Sequence, residues 1–404
     1  MVAAMTSYAP TRRGFLASAA VVGGAALLPA SARRAAPAAA AAPAILKPTP
    51  SAWFRDFGTN AEMLWGSVDP RAHLTPQSRL FVRNHTRTPH ISRSTYALRV
   101  FGDGLATARS EADALTLSLA DLQRLPHHDL TAVIECTGNG RSFFASQQGQ
   151  PVSGTAWTLG AVGTVRWNGV RLRDVLRALG LSRDAVSVQA TGLDDPFVSG
   201  GTDYGRVRRP FPIAKALDDA LLAWGMNGED LLPDHGYPLR LVLPGWVGIA
   251  SIKWLGSLEV SRDELTSPWN TTFYRMTGPQ WPADSPPLTV NPVRSAWELP
   301  WGAVVASRPG TLTGRSWSGA GRIARVSVSL DGGDSWRPAI LDRRSRRDEG
   351  WTQWSVPTGR LRRGRRDLLA RASDVHGRTQ PLEAAFNTQG YFFDAVVRHP
   401  VTVV

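Results

Sequence analysis

Apolar residues recur at two different periods along the 404-residue chain. In "LRDVLRALG" (172–180), Leu172, Val175, Leu176 and Leu179 fall at helical spacing and Gly180 supplies a stop, which predicts an amphipathic helix. "PLRLVLPG" (238–245) and "IKWLGSLEV" (252–260) predict strands, and Asn227-Gly228 inside "LLAWGMNGEDL" (221–231) predicts a hairpin. Helices interleaved with strands over residues 53–277 predict a mixed α/β domain. Farther on the period becomes two. Val326, Val328 and Leu330 share one face of a strand, Asp331-Gly332-Gly333 turns it, and "WTQWSV" (351–356), "DLLARASDV" (367–375) and "EAAFNTQG" (383–390) predict further short strands. That spacing predicts an antiparallel, immunoglobulin-like β-sandwich over 301–404, so the fold class is α+β.

The segments between are punctuated by composition. Residues 278–300, with "GPQWPADSPPLTVNP", read as a proline-rich linker, and residues 33–52 read as a disordered Ala/Pro-rich tether. Ahead of the tether stand Thr11-Arg12-Arg13-Gly14-Phe15-Leu16, an apolar run Ala17–Leu28 and Ala30-Ser31-Ala32. Residues 1–32 therefore read as a twin-arginine signal peptide, addressed to machinery that exports folded, commonly cofactor-loaded proteins to the periplasmic or cell-wall side. No apolar run reaches the roughly 18 residues of a membrane span, so stable membrane insertion is not expected.

Composition adds two constraints. A formal net charge of +13 comes almost wholly from arginine, since Lys47, Lys215 and Lys253 are the only lysines. Such a field favours a small anion or an acidic protein partner. The arginines are scattered and no recognition motif accompanies them, so nucleic acid is not expected. The lone cysteine, Cys136, excludes an intramolecular disulfide and leaves four readings: buried filler, intermolecular bridge, nucleophile or metal ligand.

Common motifs are missing. "GNGRSF" lacks the third glycine of a dinucleotide loop, no G-x-S-x-G or P-loop occurs, and the histidines show no H-E-x-x-H spacing. What surrounds Cys136 is an apolar strand, Ala132-Val133-Ile134, followed by Thr137-Gly138-Asn139-Gly140-Arg141. Close backbone amides and a cation stabilise thiolate, the form that both a nucleophile and a soft metal require.

"FVRNH" (81–85), "ECTGNGRS" (135–142), "GTAWTLGAVGTVRWNGVRLRDVL" (154–176), "GLDDP" (192–196), "DHGYPLRLVLPGWVG" (234–248), "IKWLGSLEV" and "WSGAGRIARVSVSLDGGDSW" (317–336) follow one another in register. In these motifs the chain resembles the sulfite oxidase family of molybdenum enzymes, from about residue 53 to its end. The resemblance implies molybdenum held by the dithiolene of molybdopterin and by one protein thiolate, with Cys136 as the metal ligand. It implies that Phe81, Arg83, Asn84, His85, Asp194, His235, Arg240, Ser251, Ile252 and Lys253 cradle the pterin and its phosphate. Arg83, Arg141, Trp157 and Tyr274 then form the oxyanion pocket. Taken singly, Phe81 and Trp157 suit core packing, Asp194 a turn, His235 and Arg240 a strand surface, Lys253 a snorkelling strand position and Tyr274 a cap at the domain edge.

One departure stands out. Family sulfite oxidases carry an arginine in a "WNLRG"-like stretch where "FNTQG" places Gln389, which offers a hydrogen bond without charge. The function implied is oxidation of sulfite to sulfate by oxygen-atom transfer. With no C-x-x-C-H and no cytochrome b5-like segment, no haem is expected in this chain, and electrons pass to an external carrier such as a c-type cytochrome. The sandwich resembles the family's dimerisation domain, which implies a homodimer. The alternatives are a nitrate or sulfoxide reductase on the same fold and, from another class, a cofactor-free cell-surface binding protein.

Overall fold

The computed structural model describes residues 43–342 and 350–404. The signal read at 1–32 and the first part of the tether lie outside the described residues. The first domain is built on two sheets. One runs, in spatial order, Arg208–Pro212, Ser187–Gly192, Leu255–Ser261, Ala97–Phe101 and Leu115–Ser118, with a single parallel pair between Leu255–Ser261 and Ala97–Phe101. The other runs Glu229–Asp230, Leu221–Met226, Val162–Arg171 and His127–Glu135, and Arg240–Val242 adds to Leu221–Met226. Helix Leu172–Leu179 buries Leu172, Val175 and Leu176, and Gly180 ends it in a left-handed conformation, as the spacing predicts. The predicted hairpin forms at Asn227 and Gly228, both with positive φ, the geometry of a tight two-residue turn. No described helix is long and apolar enough to cross a membrane.

The C-terminal domain is a two-sheet β-sandwich. Strands Arg294–Trp297, Gly310–Trp317, Thr352–Thr358 and Ile340–Leu341 form one sheet. Ala303–Val305, His399–Val403, Gly364–Asp374, Ile323–Ser329 and Arg337–Pro338 form the other. Val326, Val328, Val356, Leu368 and Ala370 fill the space between them. A separate aromatic cluster joins the two domains: Trp65, Phe143 and Phe144 from the first pack with Trp317, Trp351 and Phe393 from the second.

Four expectations are corrected. Residues 46 and 47, read as tether, are packed, because the main-chain N–H groups of Leu46 and Lys47 donate to the buried Asp234 carboxylate and the Lys47 side chain is buried. Arg294–Trp297, inside the stretch read as linker, is a fully buried strand paired with Gly314–Trp317, since the proline density stops at Pro292. "EAAFNTQG" forms no strand; it turns at Asn387–Gly390, where the Asn387 side chain bonds the main chain of Tyr391 in both directions. Lys253 is not in a strand, because Trp254 takes a positive φ and pairing begins only at Leu255.

Candidate functional site

A cavity opens between the ends of strands His127–Glu135 and Arg240–Val242 and the loops that follow them. Ten of the expected residues line it with Cys136: Phe81, Arg83, Asn84, His85, Asp194, His235, Arg240, Ser251, Ile252 and Lys253, together with Tyr274. They come from sequence segments nearly 200 residues apart, so the fold itself assembles the site.

At one end sits a buried cluster of bases. The Arg240 guanidinium donates to the carbonyls of His235, at 2.9 Å, and Ser251, at 3.0 Å. It also lies 4.7 Å above the Trp167 ring. Lys253 donates to the Asn84 side chain and, at 2.8 Å, to the Asp234 carbonyl. Behind them the Lys47 amine bonds the carbonyls of Gln77 and Leu80 and lies 3.3 Å from His235 Nε2. Burial, and then the mutual repulsion of these groups, drives down the affinity of the cluster for protons. Desolvation lowers Arg240 to about 9 and Lys47 to about 7, and holds Lys253 and His235 well below their ordinary values. Asp194, also desolvated, is raised to about 6. Cations gathered out of water at such a cost fit a bound anion that the protein does not itself supply.

At the other end, strand His127–Glu135 delivers Cys136, half-buried, to the cavity wall. Gly248 is obligatory behind it, as a Cβ there would meet the Glu135 carbonyl at 2.5 Å. Arg83 Nη1 and Thr137 Oγ1 are buried beside it without hydrogen-bond partners. Orphaned donors of this kind are costly unless a ligand completes them. Tyr274 is buried at φ 59°, its hydroxyl 3.5 Å from His85 Nε2. Burial raises its pKa, and Arg83, Cys136 and Arg141 are close enough to modulate it. His85 is held neutral by burial first and by Arg83 and Lys253 next, with the Trp269 indole donating to its ring.

Arg141 and Trp157 lie outside the cavity lining. The Arg141 guanidinium is clamped by the Gln389 carbonyl and the Thr155 carbonyl, both at 3.1 Å. Gly138, Gly154 and Gly390 bracket it so tightly that a Cβ on any of them would fall within 3 Å of its side chain. Gln389 therefore contributes its backbone, and its side chain does not line the cavity. Trp157 is fully buried and packs edge-on against Phe57 and Phe81, so it backs the wall that Phe81 presents.

Sequence reasoning missed the support beneath the thiol. Glu135 is fully buried; it accepts from Asn139 Nδ2 at 2.8 Å and from the Trp317 indole at 2.9 Å, and pairs with Arg294 at 3.3 Å. Arg294 also donates to the Asn139 carbonyl. Burial pushes the Glu135 carboxyl up and Arg294 pulls it back. Two residues of the sandwich thus grip the loop that carries Cys136. A carboxylate ending an otherwise apolar strand, next to the lone cysteine, was the available signal.

No three His, Cys, Asp or Glu side chains among the described residues converge as a metal cage. A metal at Cys136 would take its other ligands from a non-protein group, and the thiol, orphaned donors and basic cluster suit a thiolate-bound metal carried on a phosphorylated organic ligand.

Comparison with known proteins agrees. Residues 85–269 match the family described as oxidoreductase molybdopterin binding domain, and 293–403 the Mo-co oxidoreductase dimerisation domain. Mitochondrial sulfite oxidase of Homo sapiens is 37% identical over 346 residues, covering 80% of this chain and 60% of the human protein. A Hordeum vulgare nitrate reductase is 29% identical over 82% of this chain and 39% of its own length. The chain thus spans about 60% or less of the length of these relatives. The crystal structure of the sulfane dehydrogenase SoxCD from Paracoccus pantotrophus superimposes with a TM-score of 0.70 at 26% identity, covering 83% of this chain and 82% of that one. With two matched domains in series, the first of them carrying the thiol-lined cavity, the chain belongs to the sulfite oxidase family of molybdopterin-dependent oxidoreductases.

Proposed function

We propose that the chain oxidises sulfite to sulfate at a molybdenum-molybdopterin bound through Cys136. The observation that carries this reading is the unpaired Arg83 Nη1 in the same cavity as the half-buried thiol and the basic cluster. Lys253, Arg240 and His235 would hold the pterin's anionic end, and Asn84, Ser251 and Ile252 its edge. When bound, the cofactor supplies oxygen-atom transfer and accepts the substrate's two electrons.

The rest falls to side chains. Arg83 binds and orients the oxyanion by charge-assisted hydrogen bonds in a site where water screens little, and Arg141, set just behind the lining, adds its positive charge. The Tyr274 phenol, protonated at any ordinary pH because burial raises it, donates to a substrate or product oxygen. Neutral His85, whose Nε2 accepts from the Trp269 indole, flanks the Tyr274 hydroxyl without adding charge and leaves the phenol proton for the substrate. Electrons leave to an external carrier, a c-type cytochrome; the enzyme works as a homodimer through its sandwich, after twin-arginine export.

Reduction of nitrate is the second reading. The likeness to a nitrate reductase favours it. Steady-state assays separate the two. Sulfite-dependent reduction of ferricyanide or cytochrome c supports the proposal; its absence beside viologen-driven reduction of nitrate overturns it. Metal-free, pterin-free protein from the native host would favour the binding-protein reading instead.

A further inference from the structure

The oxyanion half of the site is held by a segment that belongs to the second domain. Asn387, fully buried, locks Tyr391 by accepting from its N–H at 2.9 Å and donating to its carbonyl at 2.7 Å. The Tyr391 ring then stacks on Tyr274, with centroids 5.1 Å apart and planes 15° from parallel. The Arg141 guanidinium lies 5.5 Å from the centroid of the same ring. On either side, the Gln389 carbonyl accepts from Arg141 and the Phe392 N–H donates to the Thr137 carbonyl, one residue beyond Cys136. Tyr391 is itself buried and outside the cavity lining.

Tyr274 needs such a neighbour. At φ 59° a bulky residue sits where its own backbone opposes it, and it persists only if its surroundings hold it. A parallel ring face provides that support, and the same π-face attracts a guanidinium. We infer that Tyr391 is a positioning residue, the shared face against which the Tyr274 ring and the Arg141 guanidinium are set, so that the oxyanion site is complete only with the sandwich docked. The inference rests on the oxyanion site proposed above and adds a residue to it.

The test uses Tyr391→Leu and Tyr391→Phe in the full-length, cofactor-loaded protein. Sulfate, a redox-inert tetrahedral dianion, is titrated calorimetrically alongside the sulfite KM and kcat. Tyr391→Leu is expected to weaken sulfate binding at least tenfold and to raise KM by a similar factor, with a smaller fall in kcat. Tyr391→Phe, which keeps the face, is expected to restore all three to within about threefold of the parent. Sulfate binding by Tyr391→Leu within twofold of the parent overturns the inference. So does Tyr391→Phe as damaged as Tyr391→Leu, which would put the hydroxyl rather than the ring to work. Should Tyr391→Leu fail to fold, Tyr391→Met carries the same expectations. A parent that binds sulfate yet does not turn over sulfite sinks the proposed reaction and leaves this test standing. If the parent binds no sulfate, modification of Arg141 by phenylglyoxal decides: a tenfold faster rate in the Leu variant supports the inference and an unchanged rate overturns it.

Discussion

The two ends of the cavity are built on opposite plans. The basic end is assembled within the first domain: Arg240, His235, Lys253 and Lys47 bond one another's carbonyls and neighbours in a dense network. The thiol end leaves Arg83 Nη1 and Thr137 Oγ1 unpaired and borrows its supports, Arg294, Trp317 and Tyr391, from the sandwich. A resident group is best gripped by a finished lattice, which releases it rarely. A substrate that arrives and departs needs donors left open between turnovers, and those donors must be kept in place by something that is not itself the ligand.

Four perturbations break or sharpen that contrast. Cys136→Ser removes the soft ligand at the open end; turnover is expected to vanish and molybdenum to be lost, with thermal melting of the protein retained, as metal analysis and calorimetry would record. Arg294→Met strands Glu135 as an uncompensated buried carboxylate, and urea unfolding should show a loss of about 3–5 kcal/mol. Adding Glu135→Met in the same chain should recover most of it, since a buried apolar pair has no charge to compensate. Lys253→Met, at the closed end, should weaken cofactor retention by roughly tenfold or more, the worth of one charge-assisted bond, measured as pterin fluorescence remaining after dialysis.

The smallest effect is on pH. Lys47 is lowered to about 7 in the folded chain, against 10.5 for a free lysine. Between those values the unfolded chain binds more protons than the folded one, so stability of the cofactor-free protein rises with pH, by up to ~1.4 kcal/mol per unit. Lys47→Met should flatten that slope in denaturant titrations at pH 7 to 10.

How much of this was legible in the letters depends on range. The helix over 172–179, the Asn227-Gly228 turn and the alternation at Val326 and Val328 follow from local periodicity and are found as read. The set from Phe81 to Lys253, expected from family motifs to face a cofactor, is gathered by the structure in one cavity. What escaped depends on contacts between distant segments. Glu135 and Arg294 are 159 positions apart, and although Glu135 opens the motif around Cys136, nothing local announces its pairing with Arg294. Gln389 was legible as a missing charge but not as the carbonyl acceptor that clamps Arg141, because a sequence displays side chains and hides the main chain. The packed stretch at Leu46 and Lys47 was obscured by the alanines and prolines before it, whose composition speaks for the average and not for the one lysine among them.

That stretch would set the limit to any trimming of the amino end. Asp234 is capped by the N–H groups of Leu46 and Lys47, so a peptidase that trimmed the amino end past this point would uncap a buried acid and withdraw Lys47 from His235 at one stroke. Proteolysis short of Ile45 is free of that consequence; a cut two residues deeper would loosen the basic cluster proposed to hold the pterin's anionic end, and the product would be recognised by its inability to keep its prosthetic group.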